Sequence, residues 1–114
     1  MTEQTHNLPK WDIDQSHPDL VEQLRDELRY VKDPEIGMDI IQLGMVRNVS
    51  VSDDQAEITM ILTTPYCPYG PMLLESARKR AEKIIQKKTV VQYGKEVWNQ
   101  TMMEDTTAFD WGIF

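Results

Sequence analysis

A single cysteine, Cys67, among 114 residues excludes an intramolecular disulfide. A chain without disulfides suits a reducing compartment, so the expected location is the cytoplasm. Basic residues are also scarce: 12 Lys and Arg against 19 Asp and Glu give a net charge of −7, which repels phosphate backbones and argues against nucleic acid as a partner. No apolar run reaches the roughly 18 residues that a membrane-spanning helix needs, and residues 1–10 are polar rather than basic and then apolar. Neither membrane insertion nor secretion is expected. The sequence also lacks Cys-x-x-Cys, a Gly-rich phosphate loop, Gly-x-Ser-x-Gly and His-Glu-x-x-His. With none of these present, the chain is expected not to be an enzyme.

What remains is an ordinary globular composition, 40% apolar and 27% charged, in a length suited to one core. Residues 1–15 show no periodicity and are expected to form a mobile N-terminal arm, leaving 16–114 as a single domain. Ser16, followed three residues later by Asp19, resembles a capping box, and Pro18 is tolerated in a first helical turn. Leu20, Val21, Leu24, Leu28 and Val31 then follow helical spacing, predicting a helix to about Val31. Pro34 and Gly37 turn the next segment into a structured loop over Asp33 to Gly44, with Ile36, Ile40, Ile41 and Leu43 packing down.

Valine-rich Val46 to Val51, the turn-prone Asp53-Asp54 and the alternation of Ala56, Ile58, Met60 and Leu62 predict a β-hairpin with one buried face. Three prolines at 65, 68 and 71 forbid regular structure until about Pro71, where a helix with Leu74, Ala77, Ala81, Ile84 and Ile85 on one stripe begins. Thr89 to Trp98 reads as a third strand, with Val91, Tyr93 and Val97 on one side, and Phe109, Trp111, Ile113 and Phe114 close the sequence as apolar side chains in need of a surface. Helix, two strands, helix and strand make a two-layer α+β sandwich of order α-β-β-α-β.

Cys67 is the centre of the chemical reading. It lies in Thr63-Thr64-Pro65-Tyr66-Cys67-Pro68, between a strand end and a helix start, where unpaired helix N–H groups favour a thiolate, the form that binds iron. The competing reading is a small buried core residue, because free cysteine is among the most buried types. Asp33 and Glu35 flank Pro34 and could bind metal or simply brace the loop. His6 and His17 are not positioned as ligands. Six basic residues fall between Arg78 and Lys88, and Lys79, Arg80, Lys83 and Lys87 form a helix face that is a candidate partner-docking surface.

These residues carry a resemblance. Val31-Lys32-Asp33-Pro34-Glu35-Ile36-Gly37, Leu43-Gly44-Met45-Val46, Leu62 to Pro68, and Val97-Trp98 with Met102-Met103 are together similar to the PaaD-like and SufT-like family of metal-sulfur cluster assembly proteins. The resemblance implies a fold similar to the C-terminal domain of NifU-type scaffolds and an accessory role in iron-sulfur cluster assembly or delivery. It implies Cys67 as the functional thiol and transient cluster ligand, with Asp33, Glu35 and Thr63 as motif neighbours. Gln42 departs from the family's frequent Asp before Leu-Gly. The implied partners are assembly proteins and client apoproteins.

A cluster normally takes four ligands, and one chain offers one thiolate. Three arrangements answer this: a homodimer pairing two Cys67 thiolates with small thiols, a cluster shared with a partner, or no cluster and a pure adaptor. Partner-shared handling, with Cys67 as labile ligand or persulfide acceptor, is the expectation, and protein purified in air should carry no cluster. A monothiol redox or regulatory protein is the remaining alternative.

Overall fold

The structure, a computed structural model, describes residues 9–64 and 68–104. The elements run α1 (Ile13–Ser16), α2 (Pro18–Leu28), β1 (Val46–Val51), β2 (Gln55–Met60), α3 (Gly70–Ile85) and β3 (Lys88–Tyr93), followed by a 3-10 turn at Gln100–Met102. The three strands form one sheet in the order β1-β2-β3. β1 and β2 are an antiparallel hairpin, whereas β2 and β3 are parallel, from Gln55↔Lys88 to Met60↔Tyr93. A parallel pair needs a long crossover, and α3 supplies it. The result is the α+β sandwich that the periodicities predict.

The hairpin forms where valine and alternation place it. Val46, Val49, Ala56, Ile58 and Met60 are all buried, as a one-sided sheet requires. Ile61 is buried as well, although alternation assigns it to the outer face: pairing with β1 stops at Met60, and the Ile61 N–H turns to the Met45 carbonyl at 2.9 Å. In α3, Leu73, Ala77, Ala81 and Ile85 are buried, with Leu74 and Ile84 packed at the margin. The helix ends at Gln86, whose φ of +63° stops the helical progression. α2 packs on α3, and α3 covers β2 and β3.

Several expectations need correction. The mobile arm does not extend to residue 15: Trp11 and Ile13 are buried and α1 forms around them. Ser16 does not cap α2. It closes α1, its Oγ meets His17 Nδ1 at 2.8 Å, and α2 starts from His17 with no side-chain cap. α2 stops at Leu28 instead of Val31, with Val31 turned inward through its N–H to the Leu28 carbonyl. Ile36 is exposed at the loop tip, while Ile40, Ile41 and Leu43 do pack down. β3 ends at Tyr93, and Val97 stands 85% exposed. Gly94 redirects the chain there through its N–H bond to the Met60 carbonyl.

Candidate functional site

The site is best built from the loop between α2 and β1. Asp33 is 1% exposed, and its carboxylate is used locally: Oδ1 accepts the Glu35 N–H at 2.9 Å. Its carbonyl accepts from Ile36 and Gly37 at 3.2 and 2.7 Å, and its own N–H donates to the Met38 carbonyl. Gly37, at φ +84°, completes this Asx turn. Pro34 fixes the turn's first bend, and the Lys32 backbone pairs with that of Asp39 across its base. Glu35 projects into solvent. The pair is therefore brought together as one turn, with Asp33 as the brace and Glu35 as the exposed carboxylate.

A second turn follows. Gln42 N–H donates to Asp39 Oδ1 at 2.7 Å, and Asp39 N–H donates back to Gln42 Oε1 at 3.1 Å. The amide of Gln42, where the family often has Asp, thus closes the turn reciprocally. Arg29 stands 3.9 Å from Asp39 Oδ1 and makes a bidentate bond to Glu104, 2.8 Å to each oxygen. Glu104 N–H donates to the Gln42 carbonyl, and Trp98 Nε1 donates to the Leu43 carbonyl at 2.6 Å. Residues 98–104 form a strap across this loop, with Met103 fully buried beneath it.

Burial holds the Asp39 carboxyl above the ordinary carboxylate range, against the lowering pull of the Gln42 N–H and Arg29. A raised value means that the folded state binds this proton more readily than the unfolded chain does. The group's contribution to stability is therefore present at low pH and is lost as pH rises through its folded value. Asp39→Asn should accordingly gain stability relative to wild type as pH climbs from about 4 towards neutrality. Urea midpoints at several pH values check this, and a gap between the two proteins that stays constant with pH would refute it.

Thr63 belongs to a different feature. At the carboxyl ends of β2 and β3 lies a groove of about 380 Å³ lined by Ile61, Leu62, Thr63, Tyr93, Val97 and Trp98, among others. Such a crevice beyond the carboxyl ends of parallel strands is where open α/β sheets commonly place ligands. Arg47 braces its far wall, bonding Glu96 at 2.9 and 3.3 Å and the Gly44 carbonyl at 3.0 Å. Sequence reasoning missed Tyr93 and Glu96 as site formers, because only the parallel pairing of β2 with β3 brings that segment to residues 61–63, and it missed Arg47, which the antiparallel hairpin places at the same end of the sheet.

Cys67 lies outside the described residues. In sequence it falls between Thr64, just beyond the groove's Thr63, and Gly70, where α3 begins. The expectations that Cys67 sits near helix N–H groups, and that Asp33 and Glu35 reach it, therefore also lie outside the described residues, as does the surface expected for Phe109, Trp111, Ile113 and Phe114. Of the basic residues, Arg80 and Lys83 both bond Glu27 Oε2, at 2.8 and 3.1 Å, and Lys87 reaches the Ser52 and Asp53 carbonyls. Arg80 also lies 4.9 Å over the Tyr30 ring. Lys79 and Lys83 are the exposed members of this face. Among the described residues, no group of three or more His, Cys, Asp or Glu side chains could hold a metal ion, and no helix is long and apolar enough to cross a membrane.

A family model described as "Iron-sulfur cluster assembly protein" matches residues 21–92. The chain belongs to this family. Within the iron-sulfur cluster assembly family, a Porphyromonas gingivalis protein named Fe-S protein maturation auxiliary factor is 34% identical over 90 residues, covering 75% of this chain and 85% of its own length. The Staphylococcus aureus Fe-S protein maturation auxiliary factor SufT is 36% identical over 86 residues, 73% of this chain and 98% of its own. A solved Bacillus anthracis structure, described as a domain of unknown function DUF59, is 26% identical with a TM-score of 0.73 and covers 89% of this chain and 99% of that one. The family match spans Asp33, Glu35, Thr63 and Cys67 and stops short of the strap.

Proposed function

We propose that this protein is an accessory factor in the maturation of iron-sulfur proteins, with Cys67 as a labile ligand to a cluster shared with an assembly partner or a client apoprotein. The observation that carries the reading is membership of the iron-sulfur cluster assembly family, across a matched region that contains the chain's one thiol. The printed names of the P. gingivalis and S. aureus relatives support the same role. Ligand counting supplies the mechanism: a cluster wants four protein ligands, usually thiolates, and one per chain leaves the rest to a partner. Such a ligand set favours transfer over storage, so the chain passes cargo on and does not turn over a substrate. A lone unpaired thiol also suits a reducing cytoplasm.

Protein purified in air should be colourless. Anaerobic reconstitution with ferrous iron, sulfide and added thiol should give brown, labile material with sulfide-to-iron absorption. Serine lacks the soft thiolate, so Cys67→Ser should lose that absorption while keeping the wild-type circular dichroism. Full iron retention in Cys67→Ser would overturn the thiol mechanism, and failure of the wild type to take up any cluster would leave an adaptor that docks clients without holding cargo.

A further inference from the structure

The two flanks of α3 balance their charges differently. On one, Arg78 has two carboxylates to itself, Glu75 at 2.8 and 2.9 Å and Glu82 at 3.3 Å. On the other, Lys79, Arg80 and Lys83 surround a single carboxylate, that of Glu27 on α2, and Arg80 and Lys83 bond the same oxygen of it. The Lys83 ammonium, with Arg80, holds the Glu27 carboxyl below its ordinary range, so this carboxylate is ionised and already committed. Lys79 is exposed and bonds no carboxylate among the described residues. Three cations on one carboxylate leave a local positive surplus in a chain whose net charge is −7.

We propose that this flank of α3, together with Tyr30, docks an acidic segment of a partner protein. The cations are held ready for it. Glu27, whose side chain is 13% exposed, fixes Arg80 and Lys83 from α2, and Arg80 lies 4.9 Å over the Tyr30 ring. Side chains that are already ordered lose less freedom on binding. Arg80 and Lys83 each use one N–H on Glu27, and a guanidinium has five such donors and an ammonium three, so both keep donors for carboxylates from outside. Two hollows adjoin at Glu27, one of about 400 Å³ bordered by the three cations and one of about 690 Å³ bordered by Tyr30, itself 69% exposed. One segment can therefore set carboxylates in the first and an apolar side chain in the second. The chain's overall negative charge disfavours nucleic acid as the anion. The proposal rests on the accessory role for the existence of a partner, but not on Cys67.

The test uses the full chain and a fluorescent amphipathic peptide whose polar positions are all Glu. The same peptide with Gln at those positions and a short single-stranded DNA are the other arms. The Glu peptide should bind at low ionic strength, weaken as salt is added and shift backbone amides around residues 27–30 and 76–83, while the Gln peptide should not bind. Lys79→Glu with Lys83→Glu should weaken binding about tenfold with unchanged circular dichroism, and Lys79→Glu alone, which breaks no bond of the fold, should weaken it severalfold. Lys88→Glu with Lys95→Glu makes the same charge change at exposed positions off this face, and should leave affinity within about twofold. Cys67→Ser should leave it unchanged, so that failure of the thiol mechanism and failure of docking are told apart. No binding of the Glu peptide, equal binding of the two peptides, or equal loss from the two charge reversals would overturn the proposal. Tighter binding of the DNA on the same amides would overturn it in favour of a nucleic-acid partner.

Discussion

Trp11→Ala should destabilise the domain by about 3 to 5 kcal/mol, the usual range for deleting a buried Trp. Trp11 is 3% exposed, lies against the core and donates its indole N–H to the Val46 carbonyl at 3.3 Å. Arg25 covers its face at 4.6 Å from the ring centroid, and its backbone N–H is taken by Asp14 Oδ2 at 2.6 Å. Alanine keeps only the last of these. Domains of this size are stable by about 5 to 15 kcal/mol, so the loss is a large share, equivalent to a melting temperature lower by on the order of 15 °C. Urea and thermal unfolding followed by circular dichroism measure it. Trp11→Phe should recover most of the loss, since most of the apolar area returns while the indole N–H to Val46 and part of the bicycle are missing. A cost for alanine below about 1 kcal/mol would show that residues 9–16 are not part of the core.

Gly44→Ala should be nearly as damaging, for a different reason. Gly44 has a φ of +73°, and a Cβ there would stand 2.0 Å from the Met102 carbonyl oxygen and 2.8 Å from its carbon. The left-handed backbone alone costs an L-residue about 1 to 2 kcal/mol. The overlap is with backbone, so the strap must lift, and comparable overpacking costs about 1 to 3 kcal/mol. Together these give a loss of more than about 3 kcal/mol, with the fluorescence of Trp98 changing as its bond to Leu43 loosens. Gly37→Ala is the control: its φ is +84°, yet nothing lies within 4 Å of the added atom. It should carry the backbone cost only. Equal costs at Gly37 and Gly44 would mean that the strap does not close on the loop.

The contrast between these glycines also separates what is legible in a sequence from what is not. Spacing finds the hairpin and α3, because burial on one face is a local periodic demand that Ala56, Ile58, Met60, Ala77 and Ala81 answer in order. Motif resemblance finds Asp33 and Glu35, whose turn is likewise local. Residues whose role depends on distant chain are not legible in this way. Trp11 is buried by Val46 and Arg25, and Gly44 is constrained by Met102. Val97 continues the alternation of β3 in sequence, but pairing ends at Tyr93 and leaves it in solvent. Ser16 has the right chemistry for a cap, yet α1 claims it, since burying Trp11 and Ile13 outweighs one capping bond of about 1 kcal/mol.

The parallel pairing of β2 with β3 also has a kinetic meaning. Its partners, such as Gln55 and Lys88, are far apart in the chain, whereas the hairpin joins neighbours across a short turn. Closing so long a loop costs entropy that no contact offsets until α3 has docked. The hairpin should therefore form early and β3 join last, and in the native state β3 should be the strand that detaches most readily. The end of the sheet that bears the groove would then be the part of the described fold most able to open and re-form while the hairpin and helices stay folded.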